Sequence, residues 1–205
     1  MEYEIRQIDS DTEYHAVGRL RYMVYVKERM LNEKHADHTQ QMLKEPADEH
    51  AMILAAFDCN RVIGTARINF GDDPSVSEFR EFYRMDTIGG SDASKKVIAS
   101  RLMVDPCHRG SSLTLRLVQA VYTLSLERGA DHGFLDANEN LFRFYDRLGF
   151  VPLLDDVVHP VYGYVRRYVL RLHDEAHFEF VRSPYLPILR AWRQRQALRH
   201  EVASE

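Results

Sequence analysis

The sequence predicts one domain built on a mixed sheet with helices on its faces, α+β or α/β in class. Three observations lead there. Short runs of alternating or continuous apolar residues recur along the chain, as strands require. Two longer stretches repeat apolar residues at helical spacing. The pieces follow one another as strand and helix, a hairpin, then strand, helix, strand, helix and further strands, an order that excludes a helical bundle. With 205 residues, 45% apolar and 28% charged, the chain is long enough to bury one such core without disulfide or metal support.

Tyr3 to Ile8 alternates like a strand, and Asp9-Ser10-Asp11-Thr12 supplies helix-capping chemistry before Val17, Leu20 and Val24 recur at helical spacing. Residues 32–47 are polar, contain Pro46, and read as an irregular excursion long enough to be a functional loop. His50 to Phe57 and Arg61 to Phe70 are strand-like runs around the turn-forming Asp58-Cys59-Asn60, a predicted antiparallel hairpin. Gly71 to Asp92, broken by Pro74, Gly89 and Gly90, is expected to wander or hold one short helix, and Lys96 to Val104 returns to strand. Gly110 to Arg128 carries apolar residues on two faces and predicts a helix buried on both sides and stopped by Gly129. Gly133 to Ala137 reads as a strand, Glu139 to Leu148 as a helix with Gly149 after its end, and Val151 to Leu154 and Val161 to Leu172 complete the sheet. Residues 1–173 are taken as the main domain and residues 174–205 as a basic helical extension packed upon it.

Charge and composition narrow the function classes. Against 31 acidic residues stand 27 Lys and Arg, a net charge of -4, which argues against a general nucleic-acid binder. Cys59 and Cys107 are too few for a disulfide framework and favour a reducing compartment. The start, Met1-Glu2-Tyr3-Glu4, carries acid where a signal peptide carries base, and the longest apolar run, Ala51 to Phe57, is far short of a membrane helix; a cytoplasmic protein without a transmembrane segment is expected. The tail from Arg182 to His200 holds five arginines and no acid. It reads as a solvated helix packing Ile188, Leu189 and Trp192 on the body, or as a contact surface for an anionic partner, and peripheral membrane contact through it stays open. His35 and His38 lack a third ligand at defensible spacing and are read as polar loop residues, so no metal is expected.

Two stretches carry chemistry. From Ser100 to Thr114 a strand runs through a Pro-bounded turn into a long helix, whose first N–H groups point outward and suit an anion. Arg109 adds charge, Gly110 permits close approach, and Ser111, Ser112 and Thr114 offer hydroxyls to a phosphate, although an ordinary capped helix would look the same. In the amino-terminal half, Arg21 and Tyr25 share the face that carries Val17 and Val24. Arg67 closes one predicted strand and Arg101 lies in the next. An arginine in an apolar stripe needs a partner, either a structural ion pair with Asp48 or Glu45 or a substrate carboxylate.

The Arg109-Gly110 turn followed by Asn138, the helical Tyr145 and Leu148-Gly149-Phe150 resembles the acyl-CoA-binding core of the GNAT acyltransferase superfamily. The resemblance implies an α/β/α sandwich on a mostly antiparallel sheet, a V-shaped splay between two strands that receives a pantetheine thioester, and direct attack by an amine. It implies thioester binding by backbone amides near Met103 and Val104, phosphate binding by Arg109 to Thr114, a place for Asn138 beside the pantetheine, and Tyr145 as the acid for the departing thiolate. Ser112 and Thr114 stand where the acetyl-CoA version has small residues, so close wrapping of a CoA pyrophosphate is not expected. Arg21, Tyr25, Asp48 or Glu45, Arg67, Ser100 and Arg101 follow in the order found in the branch that holds acyl-homoserine lactone synthases and FeeM-type long-chain N-acyl amino acid synthases.

Two departures lean away from the lactone synthases: the one tryptophan is Trp192, far from the early loop, and Val97-Ile98-Ala99 lacks the expected Glu. The resemblance therefore implies transfer of a medium or long acyl chain from acyl carrier protein, or CoA, to the amine of a small-molecule amino acid. No permanently bound cofactor is implied, only an acyl-phosphopantetheine co-substrate. The general base is open among Glu45, Asp48, His50 and an ordered water. Arg109, Arg116, Arg143 and Arg147 are the candidates for docking an acidic carrier. An acetyl-CoA-dependent acetyltransferase, a catalytically silent binding protein and an autoinducer synthase are the competing readings.

Overall fold

The computed structural model describes residues 3–153 and 155–202. Strand β1 (Glu4–Gln7) leads to helix α1 (Asp11–Tyr22), whose Ser10 cap accepts from the Glu13 amide. The helix does not stop at Tyr22. It widens into a π turn over Met23–Glu28, closed by the Arg29 amide donating to Val24 O, an irregularity that re-aims the side chains after it. The segment expected to be irregular, residues 32–47, contains the small hairpin β2 (Ala36–Asp37) and β3 (Met42–Leu43), and a 3-10 turn follows at Pro46–Asp48. Two-residue strands are too short to leave a periodic signal in sequence.

The hairpin β4 (Met52–Asp58) and β5 (Arg61–Phe70) follows as predicted, then α2 (Ser77–Phe82), β6 (Lys96–Val104), α3 (Leu113–Glu127) and β7 (His132–Asn138). The predicted helix after β7 opens as a 3-10 turn at Glu139–Leu141 and becomes α4 at Phe142–Leu148. Strand β8 is only Val151–Pro152; Leu154, where the longer predicted strand ends, lies outside the described residues. Strand β9 (Val157–His159) has no counterpart in the sequence reading. Strand β10 (Gly163–Arg171), α5 (Glu175–Val181) and α6 (Leu186–Val202) complete the described chain.

The fold is α+β: a large, mostly antiparallel sheet in the order β1-β4-β5-β6-β7-β10-β8, with β9 on β10 and helices on both faces. One neighbour pair is parallel, β6 with β7. Helix α3 is covered on both sides: Leu117 and Leu126 are buried in the body, and Tyr122 stacks on Tyr185, with ring centroids 4.2 Å apart. On the outer side Leu189 of α6 is buried and Ile188 and Trp192 pack partly buried, while Arg190 and Arg193 spend their charge on Glu175 of α5. On the opposite face the 71–95 excursion is tied down by buried Lys96, whose ammonium donates to the carbonyls of Met85 and Gly90 at 2.6 Å each.

Gly149 ends α4 at φ +105°, and a Cβ there would lie 2.9 Å from the Phe178 ring. Both backbone and space therefore demand glycine in the Leu-Gly-Phe motif.

Candidate active site

The parallel pair of β6 and β7 lasts three residues, from Lys96/His132 to Ile98/Phe134. Beyond it the two strands part. Ala99–Val104 of β6 and Leu135–Asn138 of β7 have no partner in each other, and a V-shaped gap opens between them.

The orientation of the β6 backbone follows from its other edge. Gly64 faces Val104 and Thr65 faces Met103 on β5, and the Asp105 amide donates to Ile63 O at 2.8 Å. Alternation along an antiparallel pair then turns the Met103 amide toward β5 and the Val104 amide away from it, into the gap. The Val104 carbonyl, on that same side, accepts from Arg109 Nε at 3.2 Å. Of the two amides expected to meet a thioester, Val104 is the one that the ladder leaves available. Between Thr65 and Arg67 the register slips, and Arg101, the residue in the bulge, sits at φ +54°. A non-glycine residue held there is strained, and the bulge aims its guanidinium out of the ladder to the mouth of the gap.

There the sequence-predicted residues meet. Arg21 Nη1 donates to both oxygens of Asp48, at 2.8 and 2.9 Å. Arg67 Nη1 reaches Glu45 Oε2 at 2.8 Å and Asp48 Oδ1 at 3.2 Å, and Arg67 Nε donates to Ser100 Oγ at 3.0 Å. Arg101 Nε donates to Glu45 Oε2 at 2.5 Å, and its Nη1 bonds the Tyr162 hydroxyl and approaches Glu33 Oε1 at 3.4 Å. Tyr25 lies beneath Arg101, 5.0 Å from ring centroid to guanidinium carbon.

Arg21 and Arg67 are each 1% exposed, and their guanidinium groups meet internal carboxylates. Burial works to raise the Glu45 carboxyl, but the Arg101 hydrogen bond and the charges of Arg101, Arg67 and Arg21 outweigh it and hold it at about 2. A carboxylate held that low is a poor proton acceptor. His50 lines a surface hollow with Phe70, Asp72 and Lys95, at the end of the strands away from the gap.

On the far arm, Tyr145 of α4 packs among Phe144, Phe150 and Tyr168. It is 6% exposed, and its hydroxyl has no hydrogen-bond partner among the described residues. Burial, then the charge of Asp136, push its pKa well up, so it stays protonated. Asn138, at the end of β7, gives Nδ2 to the carbonyls of Tyr162 and Tyr164 at 2.8 and 3.0 Å and accepts from Arg29 at 3.3 Å.

In the loop before α3, Arg109 forks onto Glu28 of the π turn, and Gly110, at φ +77°, has open space around it. Ser111 Oγ accepts from the Leu113 amide, while the hydroxyls of Ser112 and Thr114 make no hydrogen bond among the described residues. Cys59 and Cys107 are free and exposed. His38 Nδ1 bonds the Tyr22 hydroxyl at 3.0 Å, and no cluster of three or more metal-ligating side chains occurs among the described residues.

Sequence reasoning missed Glu33, Arg29, Tyr162 and Asp136. The first two fall in or beside the stretch singled out as a functional excursion. Tyr162 is 61 residues from Arg101, and nothing local marks it.

A family profile described as N-acyl amino acid synthase FeeM matches residues 16–171, a span that contains every element of this gap. The chain belongs to that family. It is an acyltransferase of the N-acylating kind, on the GNAT-like fold. The fold is shared with solved structures. A CoA-dependent acyl-homoserine lactone synthase, BjaI, with MTA, is 19% identical, with 89% of this chain and 91% of that chain covered and a TM-score of 0.71. FeeM, an N-acyl amino acid synthase from uncultured soil microbes, is 15% identical over 91% and 98%, with a TM-score of 0.70. A putative N-acetyltransferase from Lactobacillus plantarum is 18% identical over 83% and 98%, with a TM-score of 0.62. No curated protein sequence matches the chain. No helix among the described residues is long and apolar enough to cross a membrane.

Proposed function

We propose that the protein transfers a medium or long acyl chain from the phosphopantetheine thioester of acyl carrier protein to the α-amine of an amino acid. The observation that carries this reading is the gap beyond Ile98 and Phe134, into which the Val104 amide points without a ladder partner. A pantetheine arm threaded through it sets the thioester carbonyl against that N–H, which stabilises the oxyanion of the tetrahedral intermediate. The deprotonated amine attacks the carbonyl carbon, the C–N bond forms and the C–S bond breaks; Tyr145 hydrogen-bonds the departing sulfur and passes it a proton, its phenol restored by the proton that the nitrogen sheds as the amide forms.

The carrier protein is favoured as donor by charge. Arg143 and Arg147 of α4, four residues apart on the helix that follows β7, are exposed and form no ion pair among the described residues. An acidic carrier docked there would place its arm at the gap. Arg109 to Thr114 would hold the single phosphate of that arm through the open Gly110 and the unengaged Ser112 and Thr114 hydroxyls. No cofactor is bound permanently in this scheme.

The test is thiol release by the purified protein with acyl carrier protein and CoA thioesters of several chain lengths, across a panel of amino acids, with mass spectrometry of the product. A new amide formed fastest from a long-chain carrier thioester is the expected result. Turnover only with acetyl-CoA would establish the acetyltransferase reading instead, and ligand binding without thiol release would establish a silent binding protein.

A further inference from the structure

We propose that Arg29 and Glu33, four residues apart on the loop after the π turn, clamp the acceptor as a zwitterion: Arg29 takes its carboxylate, and Glu33 takes its ammonium and then the proton. The inference rests on the acyl-transfer reading above and assigns both the acceptor's recognition and the missing base.

Charge pairing within the cluster leads to these two residues. Asp48 and Glu45 already occupy Arg21, Arg67 and Arg101 at hydrogen-bond distance. A substrate carboxylate arriving at those arginines would have to displace a buried internal one and leave it unpaired, which is costly. Arg29 carries no such burden. It is exposed, and among the described residues it forms no ion pair and its side chain makes one hydrogen bond, to Asn138 Oδ1 at 3.3 Å, across the mouth of the V. Its guanidinium carbon stands 5.8 Å from the centroid of the Tyr25 ring.

Glu33 is the complementary group. It is 8% exposed, and its Oε1 accepts from the Tyr162 hydroxyl at 2.8 Å and, at the longer distance of 3.4 Å, from Arg101 Nη1, its one ion pair among the described residues. Its Oε2 has no protein partner among the described residues and is not sealed from solvent. A largely buried carboxylate with one oxygen unengaged favours a cation there. The two residues frame one aromatic floor, because Tyr25 and Tyr162 lie 5.9 Å apart and Tyr25 carries Arg29 and Arg101 on its ring.

The groups facing Glu33 are Arg101 from β6 and Tyr162 and His159 from the β9–β10 hairpin, with Glu45 sharing Arg101. None of them competes as base. His159 Nδ1 accepts from the amides of Val161 and Tyr162, so the neutral ring carries its proton on Nε2. Tyr162 is held protonated by burial, and Glu45 is spent on two arginines. The step balances: the ammonium gives one proton to Glu33 Oε2, which later returns it to solvent, the freed lone pair attacks the thioester carbon, the C–S bond breaks, and the second proton, shed by nitrogen as the amide forms, ends on the departing sulfur by way of Tyr145.

The test uses the most active amino acid of the panel, as free acid and as methyl ester. Arg29→Gln raises KM for the free acid about 10- to 100-fold with kcat unchanged and leaves the ester's KM as it was, because only the acid loses a charge-assisted hydrogen bond. Glu33→Gln lowers kcat about 10²- to 10⁴-fold at neutral pH. That deficit shrinks as the pH rises past the amine's own pKa, a recovery that also shows the variant to be folded, and Glu33→Asp restores part of the loss. An acid-to-ester ratio unmoved by Arg29→Gln, or a Glu33→Gln profile parallel to the wild type at every pH, overturns the clamp while the acyl-transfer reading stands. A wild-type protein that makes no amide from any amino acid overturns both.

Discussion

Arg21 and Asp48 meet through a single guanidinium nitrogen. Nη1 of Arg21 reaches both carboxylate oxygens, at 2.8 and 2.9 Å, while its Nε and Nη2 are buried without a partner. Asp48 also accepts from Arg67 and from the Glu45 amide, so one carboxylate holds two buried arginines and the turn that presents Glu45. Removing its charge strands Arg21 and leaves Arg67 with Glu45 alone. Asp48→Asn is expected to lower stability by about 3–5 kcal/mol. Chemical denaturation at neutral pH checks it, and a midpoint equal to wild type would mean the cluster is solvated.

The pH dependence of stability follows from Glu45. Its folded-state pKa, about 2, lies below the ordinary 4.5, so its contribution is fully present above pH 4.5 and is lost as pH falls toward 2. Glu13, held at about 2 by Arg6, acts in the same window. Glu45→Gln should therefore flatten the acid limb of the stability profile without altering its slope above pH 5. An unchanged acid limb would show that Arg101 and Arg67 do not hold this carboxylate in solution.

Tyr145→Phe separates chemistry from packing. Because the hydroxyl has no hydrogen-bond partner among the described residues, the variant should keep its stability to within about 1 kcal/mol. Its kcat should fall about 10²- to 10³-fold, with the donor's KM little changed. A rate equal to wild type at all pH values would leave Tyr145 as an aromatic in a cluster.

Arg143→Glu with Arg147→Glu tests the donor. The pair should raise KM for the acyl carrier protein thioester about tenfold or more, by opposing an acidic partner, and leave the CoA thioester unaffected. Wild-type KM for the carrier should climb with salt. Equal effects on both donors would place these charges outside the docking surface.

Much of the architecture was legible because it rests on local chemistry. Lys96 to Val104 shows as a strand from its apolar run, α3 from two apolar faces, and the end of α4 from Gly149. The two-residue strands β2 and β3 and the three-residue β9 leave no periodic trace, and the π turn at Met23–Glu28 has the same residue types as the helix it extends. Arg21, Arg67, Arg101, Glu45 and Asp48 were all found as a constellation. Which arginine meets which carboxylate was not, and Glu33 was overlooked, since its contact with Arg101 spans 68 residues.

Periodicity, capping residues and motif order are properties of neighbours along the chain. They determined that this protein is a mixed sheet with an Arg-Gly turn ahead of its long central helix and a set of arginines inside it. The parting of β6 from β7, the bulge that turns Arg101 outward, and the exhaustion of the arginines by internal acids were decided only in three dimensions. Each depends on strands and loops that pair across large sequence separations, and a buried charge takes whichever partner the packing brings within hydrogen-bond distance.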